Sequence, residues 1–269
     1  MAVSAGKSVS GKQVLLGDEA VALAAIHAGV SGAYGYPGTP STEILEFMHA
    51  YASRHASPRV VWNVNEKTAF EHALGVSIVG RRALVAMKHV GLNVAADPFM
   101  NAAVVDIQGG LVVVVADDPG MHSSQNEQDS RYYADFARTI CLEPSDQQEA
   151  YQMTREAFDL SEKFHQPIVI RLVTRLAHSR TMVETFAPRG ENDLKKPNDM
   201  STWTLLPVNA RRQWKKKLAV HQAMHEFTDS CAFNRLDERG SKLGVITNGI
   251  AKNYFCLRGE IPGVRKSSW

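Results

Sequence analysis

The amino-acid sequence predicts an α/β fold with a mostly parallel sheet, helices on both faces, a linker and the start of a second α/β domain. Three observations predict this. Strand-like and helix-like segments alternate about six times between residues 13 and 187. Residues 111–116 form an unbroken apolar run rich in valine, which is typical of a parallel strand buried on both faces. Polar segments with glycine follow the strands, where α/β proteins place their ligands.

Composition and charge exclude several classes of protein. The chain has 269 residues, 44% of them hydrophobic, which is enough for a sizeable core. The net charge of +2 gives no broad case for nucleic acid. The three cysteines contain no Cys-x-x-Cys, so zinc, cysteine-held iron–sulfur and disulfide scaffolds are not predicted. The polar N-terminus and the short apolar runs argue against a signal peptide and a membrane span, so we expect a soluble cytoplasmic protein.

Glycine and proline residues mark where the first predicted helices and strands end. Residues 1–12 are expected to be a flexible arm, and the alanine-rich helix that opens at Gly17 should close at Gly29. A short strand over 33–36 leads into the turn Pro37-Gly38-Thr39-Pro40, since prolines and a glycine continue neither element. Ser41 is placed to cap the next helix.

The middle of the chain repeats this order. The predicted elements are a strand over 59–63, a helix from 65 or 66 to 79, a strand over 82–87, a loop over 88–93, a helix over 94–103, a strand over 110–116 and a polar loop over 117–129. A capping-box pattern at 145–148 then starts a long helix. Residues 167–173 are predicted as the last strand. Helix–strand alternation of this kind requires right-handed crossovers.

The character of the sequence changes after about residue 184. Residues 188–241 are interpreted as a linker that contains a basic helix over 209–227. A solvated or interdomain helix is favoured over nucleic-acid binding there, because no aromatic stacking platform accompanies the basic residues. The segment from Leu243 to Ile246 is predicted to be a strand, so 242–269 is interpreted as the truncated start of another domain.

Glu66 is the strongest candidate for chemistry. An acid in the first turn of a helix also stabilises the helix dipole, which is the simpler explanation. Two features favour a functional role. Glu66 directly follows a strand and so lies at the carboxyl edge of the sheet. The next helical turns carry small residues, Ala69, Ala73 and Gly75, which allow a close approach.

The motifs around Glu66 carry a family resemblance over about residues 14–184. Glu66 and Gly75, nine positions apart, are similar to the glutamate and glycine of the pyrimidine-binding domain of thiamine-diphosphate enzymes. Four segments together resemble the 2-oxoacid:ferredoxin oxidoreductases, and among them the alpha subunits that act on indolepyruvate. They are Tyr-Pro-Gly-Thr-Pro-Ser (36–41), Asn-Glu-Lys (65–67), Met-Lys-His-Val-Gly-Leu-Asn (87–93) and Ala-Asp-Asp-Pro-Gly (116–120).

The resemblance implies a thiamine-diphosphate-binding fold of the pyrimidine type. It implies that Glu66 is catalytic and hydrogen-bonds a nitrogen of the aminopyrimidine ring. It also implies that Gly38, Gly91, Leu92 and Asn93 face the cofactor, where a glycine lets backbone approach a flat ring closely.

The substrate side of the implied site is less defined. The resemblance places Thr39 against the carboxylate of a 2-oxo acid, with Ser41 beside it, although both residues also suit turns and caps. Lys88 could attract the same carboxylate, and His89 is either a structural hydrogen-bonder or a catalytic group. The sequence leaves open the roles of Arg175, His178 and the 117–129 loop, which has no calcium-loop spacing and is more typical of a solvated loop or a subunit contact.

Other parts of the implied enzyme are absent from this sequence. It contains no Gly-Asp-Gly motif for magnesium and the diphosphate, and no clustered cysteines for electron transfer. The resemblance therefore implies an inactive isolated chain within an oligomeric complex. The complex would contain a diphosphate-binding domain and iron–sulfur parts, with ferredoxin, coenzyme A and an aryl 2-oxo acid such as indolepyruvate as partners. A non-catalytic scaffold, or half of a 2-oxo-acid decarboxylase, remains the alternative.

Overall fold

A six-stranded, entirely parallel sheet forms the centre of the computed structural model, which describes residues 9–196, 198–236 and 244–257. Its strand order is β3-β2-β4-β5-β7-β6. The strands are β2 (Gly32–Gly35), β3 (Arg59–Trp62), β4 (Ala83–Lys88), β5 (Leu111–Asp117), β6 (Cys141–Leu142) and β7 (Ile168–Val173). The predicted mostly parallel α/β fold is confirmed. Because all six strands run the same way, their carboxyl ends meet at one edge.

Successive side chains of the central strands point to opposite faces of the sheet, and each face carries a hydrophobic core. In β5, Val112 and Val114 face one core, whereas Val113 and Val115 face the other. Every residue of β5 is buried. This explains why the valine run shows no polar face and why it is the clearest strand signal in the sequence.

Helices cover both faces of the sheet. The helices are α1 (Gly17–His27), α2 (Thr42–Ala52), α3 (Glu66–Ile78), α4 (His89–Val94), α5 (Ala96–Ala102), α6 (Arg131–Ala137), α7 (Gln147–Phe164), α8 (Thr174–Ala177), α9 (Pro207–Ser230) and α10 (Ala251–Leu257). Side chains of α1, α2 and α7 pack in the core on one face. Those of α3, α5 and α6 pack on the other. Within the described ranges, no helix combines the length and the apolar character needed to cross a bilayer.

A second, two-stranded sheet was not predicted. β1 (Val9–Leu16) pairs antiparallel with β8 (Arg180–Phe186). The prediction of a flexible arm is therefore wrong for residues 9–12, and its residues 1–8 lie outside the described ranges. The prediction that 167–173 is the last strand is also wrong. Polar and apolar residues are mixed in both strands because much of this small sheet faces solvent, so neither segment shows a long apolar run.

The predicted loop over 88–93 is instead the short helix α4. Lys88 has extended backbone at its N-cap, and the helix then starts directly from β4. His89 and Leu92, three residues apart, are both buried. Their burial on one face outweighs the low helix propensity of Gly91 and Asn93, which made the segment look like a loop.

The segment after β8 is packed against the domain. The backbone amide of Arg189 donates to the carbonyl of His27 at 2.9 Å, and that of Lys195 donates to the carbonyl of Val79 at 2.8 Å. Both acceptors lie where a helix ends and the chain turns toward a strand. The segment therefore runs along the amino edge of the sheet, opposite the carboxyl ends.

The basic helix is longer than predicted and one face of it is buried. Lys217 of α9 is 2% exposed, and its ammonium donates to the carbonyl of Ala103 and to Oε1 of Gln166, both at 2.7 Å. Burial, with Arg138 nearby, lowers the pKa of Lys217 to about 8. The helix is thus docked on the domain rather than solvated all round. After it, residues 244–246 form no strand, contrary to the prediction, and Leu243 lies outside the described residues.

Candidate functional site

Glu66 lies at the carboxyl edge of the sheet as the first residue of α3. The Asn65 side chain caps this helix by accepting from the amide of Thr68 at 2.9 Å, and the Thr68 hydroxyl donates back to the Asn65 carbonyl. This reciprocal cap fixes the first turn. Glu66 is only 8% exposed, so most of its side chain lies within the protein.

Gly91 of α4 lies directly against the Glu66 side chain. A Cβ atom added at Gly91 would lie 2.7 Å from Cγ and 2.8 Å from Cδ of Glu66. Carbon atoms do not approach so closely, so only glycine permits this arrangement. By contrast, a Cβ atom added at Gly75 would have no other atom within 4 Å, and no close approach among the described residues requires glycine there.

The turn before α2 meets the start of α4 from the other side. The Lys88 side chain lies over Gly38, with Cδ 2.9 Å from the position of an added Cβ. Ser41 is buried, and its hydroxyl donates to the carbonyl of Gly38 at 2.8 Å. Ser41 begins the helix, as predicted, but its side chain stabilises the turn instead of capping α2. Thr39 is exposed.

His89 lies below this turn and contacts the long loop after β5. Its Nε2 atom is 3.0 Å from the carbonyl oxygen of Asn126. Because a carbonyl only accepts, Nε2 carries the proton. The other ring nitrogen, Nδ1, is buried and has no hydrogen-bond partner among the described residues. A buried polar atom without a partner is costly and is typical of a site that a ligand completes.

Asp118 anchors the loop over residues 118–130 to the sheet. Its buried carboxylate accepts from the Ser123 amide at 2.8 Å, the Ser124 hydroxyl at 2.8 Å and the Thr174 hydroxyl at 2.7 Å. Burial alone would raise the pKa of Asp118, but these hydrogen bonds outweigh it and hold the pKa well below its usual range. Ser123 in turn donates to the Thr39 carbonyl at 3.4 Å, and its own carbonyl accepts from Lys88.

Replacement of Asp118 by asparagine is expected to loosen this loop. Asparagine places an NH2 group where one carboxylate oxygen accepts, so at least one donor loses its partner. We expect the loop amides to exchange with solvent about 10- to 100-fold faster, since hydrogen bonds to charged groups contribute about 1.5–3 kcal/mol. The folded-state pKa is depressed. The stabilisation is therefore present above the unfolded-state pKa of about 3.9 and is lost as pH falls through the folded-state pKa. Hydrogen-exchange mass spectrometry measures the change.

The exposed Asp135 of α6 offers a matched control for this experiment. Asp135→Asn should leave exchange in the loop unchanged, because among the described residues the Asp135 carboxylate accepts no hydrogen bond from the loop. Equal protection of the loop in Asp118→Asn and the unaltered chain would contradict the anchoring role.

The structure therefore brings most of the predicted site residues to one edge. Leu92 is fully buried in the core under α4, and Asn93 accepts from the Tyr133 hydroxyl at 2.7 Å. Sequence reasoning missed Asp118 and Ser123 as individual site-forming residues. The position of Asp117 and Asp118 could have indicated this role. They come directly after the most apolar predicted segment, so they had to lie at the same edge of the sheet as Glu66.

A cavity of about 1300 Å3 lies away from these residues, between α6, β6, α9 and the segment from Gly244 to Cys256. None of the predicted site residues lines it. The predicted site residues lie instead at the carboxyl edge of the sheet, and ligand sites are common where two domains meet.

Comparison with known proteins agrees with this geometry. The family model described as pyruvate flavodoxin/ferredoxin oxidoreductase, thiamine-diphosphate-binding, matches residues 23–232. The indolepyruvate oxidoreductase subunit IorA of Archaeoglobus fulgidus is 41% identical over 249 residues, and that of Methanothermobacter thermautotrophicus is 42% identical over 248. Each alignment covers 90% of this chain and 40% of the relative. The chain thus spans about two fifths of the length of these relatives.

A solved structure shares the fold. It is a 2-oxoglutarate:ferredoxin oxidoreductase from Magnetococcus marinus with 2-oxoglutarate, coenzyme A and succinyl-CoA bound. The TM-score is 0.67 at 18% sequence identity, over 80% of this chain and 45% of the other. At that identity the match shows the fold alone.

Proposed function

The chain belongs to the thiamine-diphosphate-binding family of the pyruvate flavodoxin/ferredoxin oxidoreductases, and from this membership we propose that it supplies the pyrimidine-binding part of a 2-oxoacid:ferredoxin oxidoreductase. The proposed reaction is the oxidative decarboxylation of an aryl 2-oxo acid, indolepyruvate, to an acyl-CoA with ferredoxin as electron acceptor. The names of the IorA relatives support the substrate class. The observation that carries the proposal is the largely buried Glu66 side chain at the carboxyl edge of the sheet.

The residues at this edge fit the pyrimidine end of thiamine diphosphate. Glu66 supplies a carboxyl group held by a capped helix, and Gly91 leaves the space that this group needs. The unpartnered Nδ1 atom of His89 offers one more polar contact. When bound, the cofactor supplies a carbon acid whose anion attacks the keto carbon of a 2-oxo acid. In this proposal Gly38, Gly91 and Asn93 form the wall against which its ring would lie, and Leu92, predicted to face the cofactor, supports that wall from the core.

Glu66 has one chemical task in this scheme. Its carboxyl group would hydrogen-bond a ring nitrogen of the aminopyrimidine and hold a proton at that atom. A fixed carboxyl group does this without reorganising during the reaction, and such preorganised contacts are a large part of catalysis. Aspartate would be too short to reach, and glutamine has the shape of the acid but cannot exchange the proton.

Two residues of the turn and α4 face the substrate in this proposal. Thr39 is exposed and free to donate its hydroxyl to the carboxylate of a 2-oxo acid. The Lys88 ammonium makes one long contact, 3.4 Å to the Ser123 carbonyl, so it retains donors for the same carboxylate. Ser41 and His89 are buried and act by holding the turn and the 118–130 loop in place.

The remaining parts of the enzyme come from elsewhere in this proposal. Residues 13–187 form the pyrimidine-type domain, residues 188–241 connect it onward, and 242–269 begin the next domain. Magnesium, the diphosphate site and the iron–sulfur clusters belong to other parts of the complex, since this sequence has neither a Gly-Asp-Gly motif nor paired cysteines. The isolated chain is expected to be inactive.

Cofactor binding with and without the completing part tests the proposal. Thiamine diphosphate and Mg2+ are titrated by calorimetry into the chain alone, and into the chain co-expressed with a diphosphate-binding domain of the same family. We expect tight binding only in the second case, because a half-site gains the ring contacts but not the diphosphate contacts. An assembled complex that binds no thiamine diphosphate would contradict the proposal and would favour a non-catalytic scaffold.

A further inference from the structure

Three side chains from separate elements converge behind the turn that precedes α2. They are Asp18 in the first turn of α1, Glu43 in the first turn of α2, and His178, which follows α8. One ligand atom from each lies within 4.8 Å of the others. Asp18 and Glu43 are 25 residues apart in the sequence and His178 is far from both, so only the fold brings them together.

Most carboxylate oxygens of Asp18 and Glu43 have no hydrogen-bond partner among the described residues. Asp18 is fully buried, and neither of its carboxylate oxygens has a hydrogen-bond partner among the described residues. Oε2 of Glu43 is also buried without a partner. In the part of the chain that the structure describes, no lysine or arginine pairs with either group. Glu43 is only partly buried and has His178 beside it, but Asp18 is a fully buried acid without a cationic partner among the described residues. Such an acid is costly, and a bound cation is one of the few ways to offset that cost.

We propose that Asp18, Glu43 and His178 bind a divalent transition-metal cation. Nε2 of His178 lies 3.4 Å from Oε1 of Glu43. That is too long for a good hydrogen bond. It matches the separation of about 3.3 Å between two ligands of a tetrahedral ion with bonds of about 2.0–2.1 Å. An imidazole with two carboxylates favours Zn2+ or Mn2+ over Mg2+ and Ca2+, which prefer sites built from oxygen alone.

The ion would fix the start of α2 in place. Glu43 is two residues from Ser41, whose hydroxyl holds the Gly38 carbonyl, and it follows Thr42, whose hydroxyl oxygen accepts from the Gly38 amide at 3.0 Å. The cation would therefore join the beginnings of α1 and α2 to the segment after α8 and brace the turn from behind. This inference does not depend on the proposed enzymatic activity.

Metal binding to the full chain tests the inference. The chain is stripped with EDTA and dialysed, and Zn2+, Mn2+ and Mg2+ are titrated separately by calorimetry, with the bound metal counted by elemental analysis. We expect a Zn2+ or Mn2+ site that binds at least about tenfold more tightly than Mg2+. At saturation the melting temperature should rise by about 5 °C. His178→Gln, a change at an exposed position that should not disturb folding, and Asp18→Asn should each weaken this site at least about tenfold.

Glu46 gives the matched control, because it is an exposed acid one turn further along α2. Glu46→Gln should bind metal like the unaltered chain. If His178→Gln and Asp18→Asn both still bound zinc at full stoichiometry, the zinc would lie elsewhere and the inference would be overturned. A chain that takes up no metal, and that Asp18→Asn makes more stable, would overturn it too, because the two acids would then share a proton instead of a cation.

Discussion

Replacement of Glu66 by glutamine is expected to lower the turnover of the assembled complex by about 10²–10⁴-fold, the range associated with loss of a proton-transferring group. Glutamine preserves the size of the side chain and its contact with Gly91, but it cannot hold and release a proton at the ring nitrogen. The direct measurement is the rate at which the C2 proton of bound thiamine diphosphate exchanges with deuterium, followed by NMR. This rate should fall by a similar factor, whereas the melting temperature should stay within about 2 °C.

The same helix provides the control. Glu71 is exposed on α3, and Glu71→Gln should change neither C2 proton exchange nor turnover. Because exchange of the C2 proton precedes electron transfer, this measurement distinguishes a loss of cofactor activation at Glu66 from a loss of electron transfer to the iron–sulfur clusters or ferredoxin. Unchanged exchange in Glu66→Gln would remove this residue from the mechanism.

Replacement of Gly91 by alanine should produce the second largest effect. The added methyl group would occupy the space beside Cγ and Cδ of Glu66, so either the carboxyl group or α4 must move. A displacement of about 1 Å at a catalytic group costs roughly 100-fold in rate. We therefore expect kcat/KM to fall by about 10- to 100-fold, although alanine is the better helix former and folding should be retained.

Gly75→Ala is the matched control, since a side chain at that position meets open space in α3. It should leave the kinetics unchanged and raise the free energy of unfolding by about 0.5–1 kcal/mol. If a partner domain packs closely on Gly75, binding of that partner would weaken while C2 exchange in any complex formed stayed normal. Normal kinetics in Gly91→Ala would show that the close contact with Glu66 is not needed.

The sequence predicted five of the six strands of the central sheet because their signals are local, and it missed the two-residue strand β6. The valine run of β5 and the glycine at position 29, which has φ of +73°, mark their elements without knowledge of distant contacts. Capping residues Asn65 and Asp146 likewise mark the starts of α3 and α7, and both side chains accept from the helix backbone as such residues do.

The errors arose where distant contacts decide the structure. β1 and β8 pair with each other across more than 160 residues, and neither segment carries a long apolar run that would mark it as a strand. α4 forms because His89 and Leu92 are buried against the domain. The contact between Gly91 and Glu66, and the convergence of Asp18 with Glu43 and His178, are likewise tertiary and leave no local pattern.

The central claim is that Glu66 reaches the pyrimidine ring of thiamine diphosphate in the complete complex. A structure of the complex with thiamine diphosphate bound, determined at a resolution that shows the ring, tests this most directly. We predict that a carboxyl oxygen of Glu66 lies about 2.5–3.0 Å from a ring nitrogen, with Gly91 in contact with the same side chain. A ring bound at another face of the sheet, or a Glu66 carboxyl group turned toward solvent, would contradict the account.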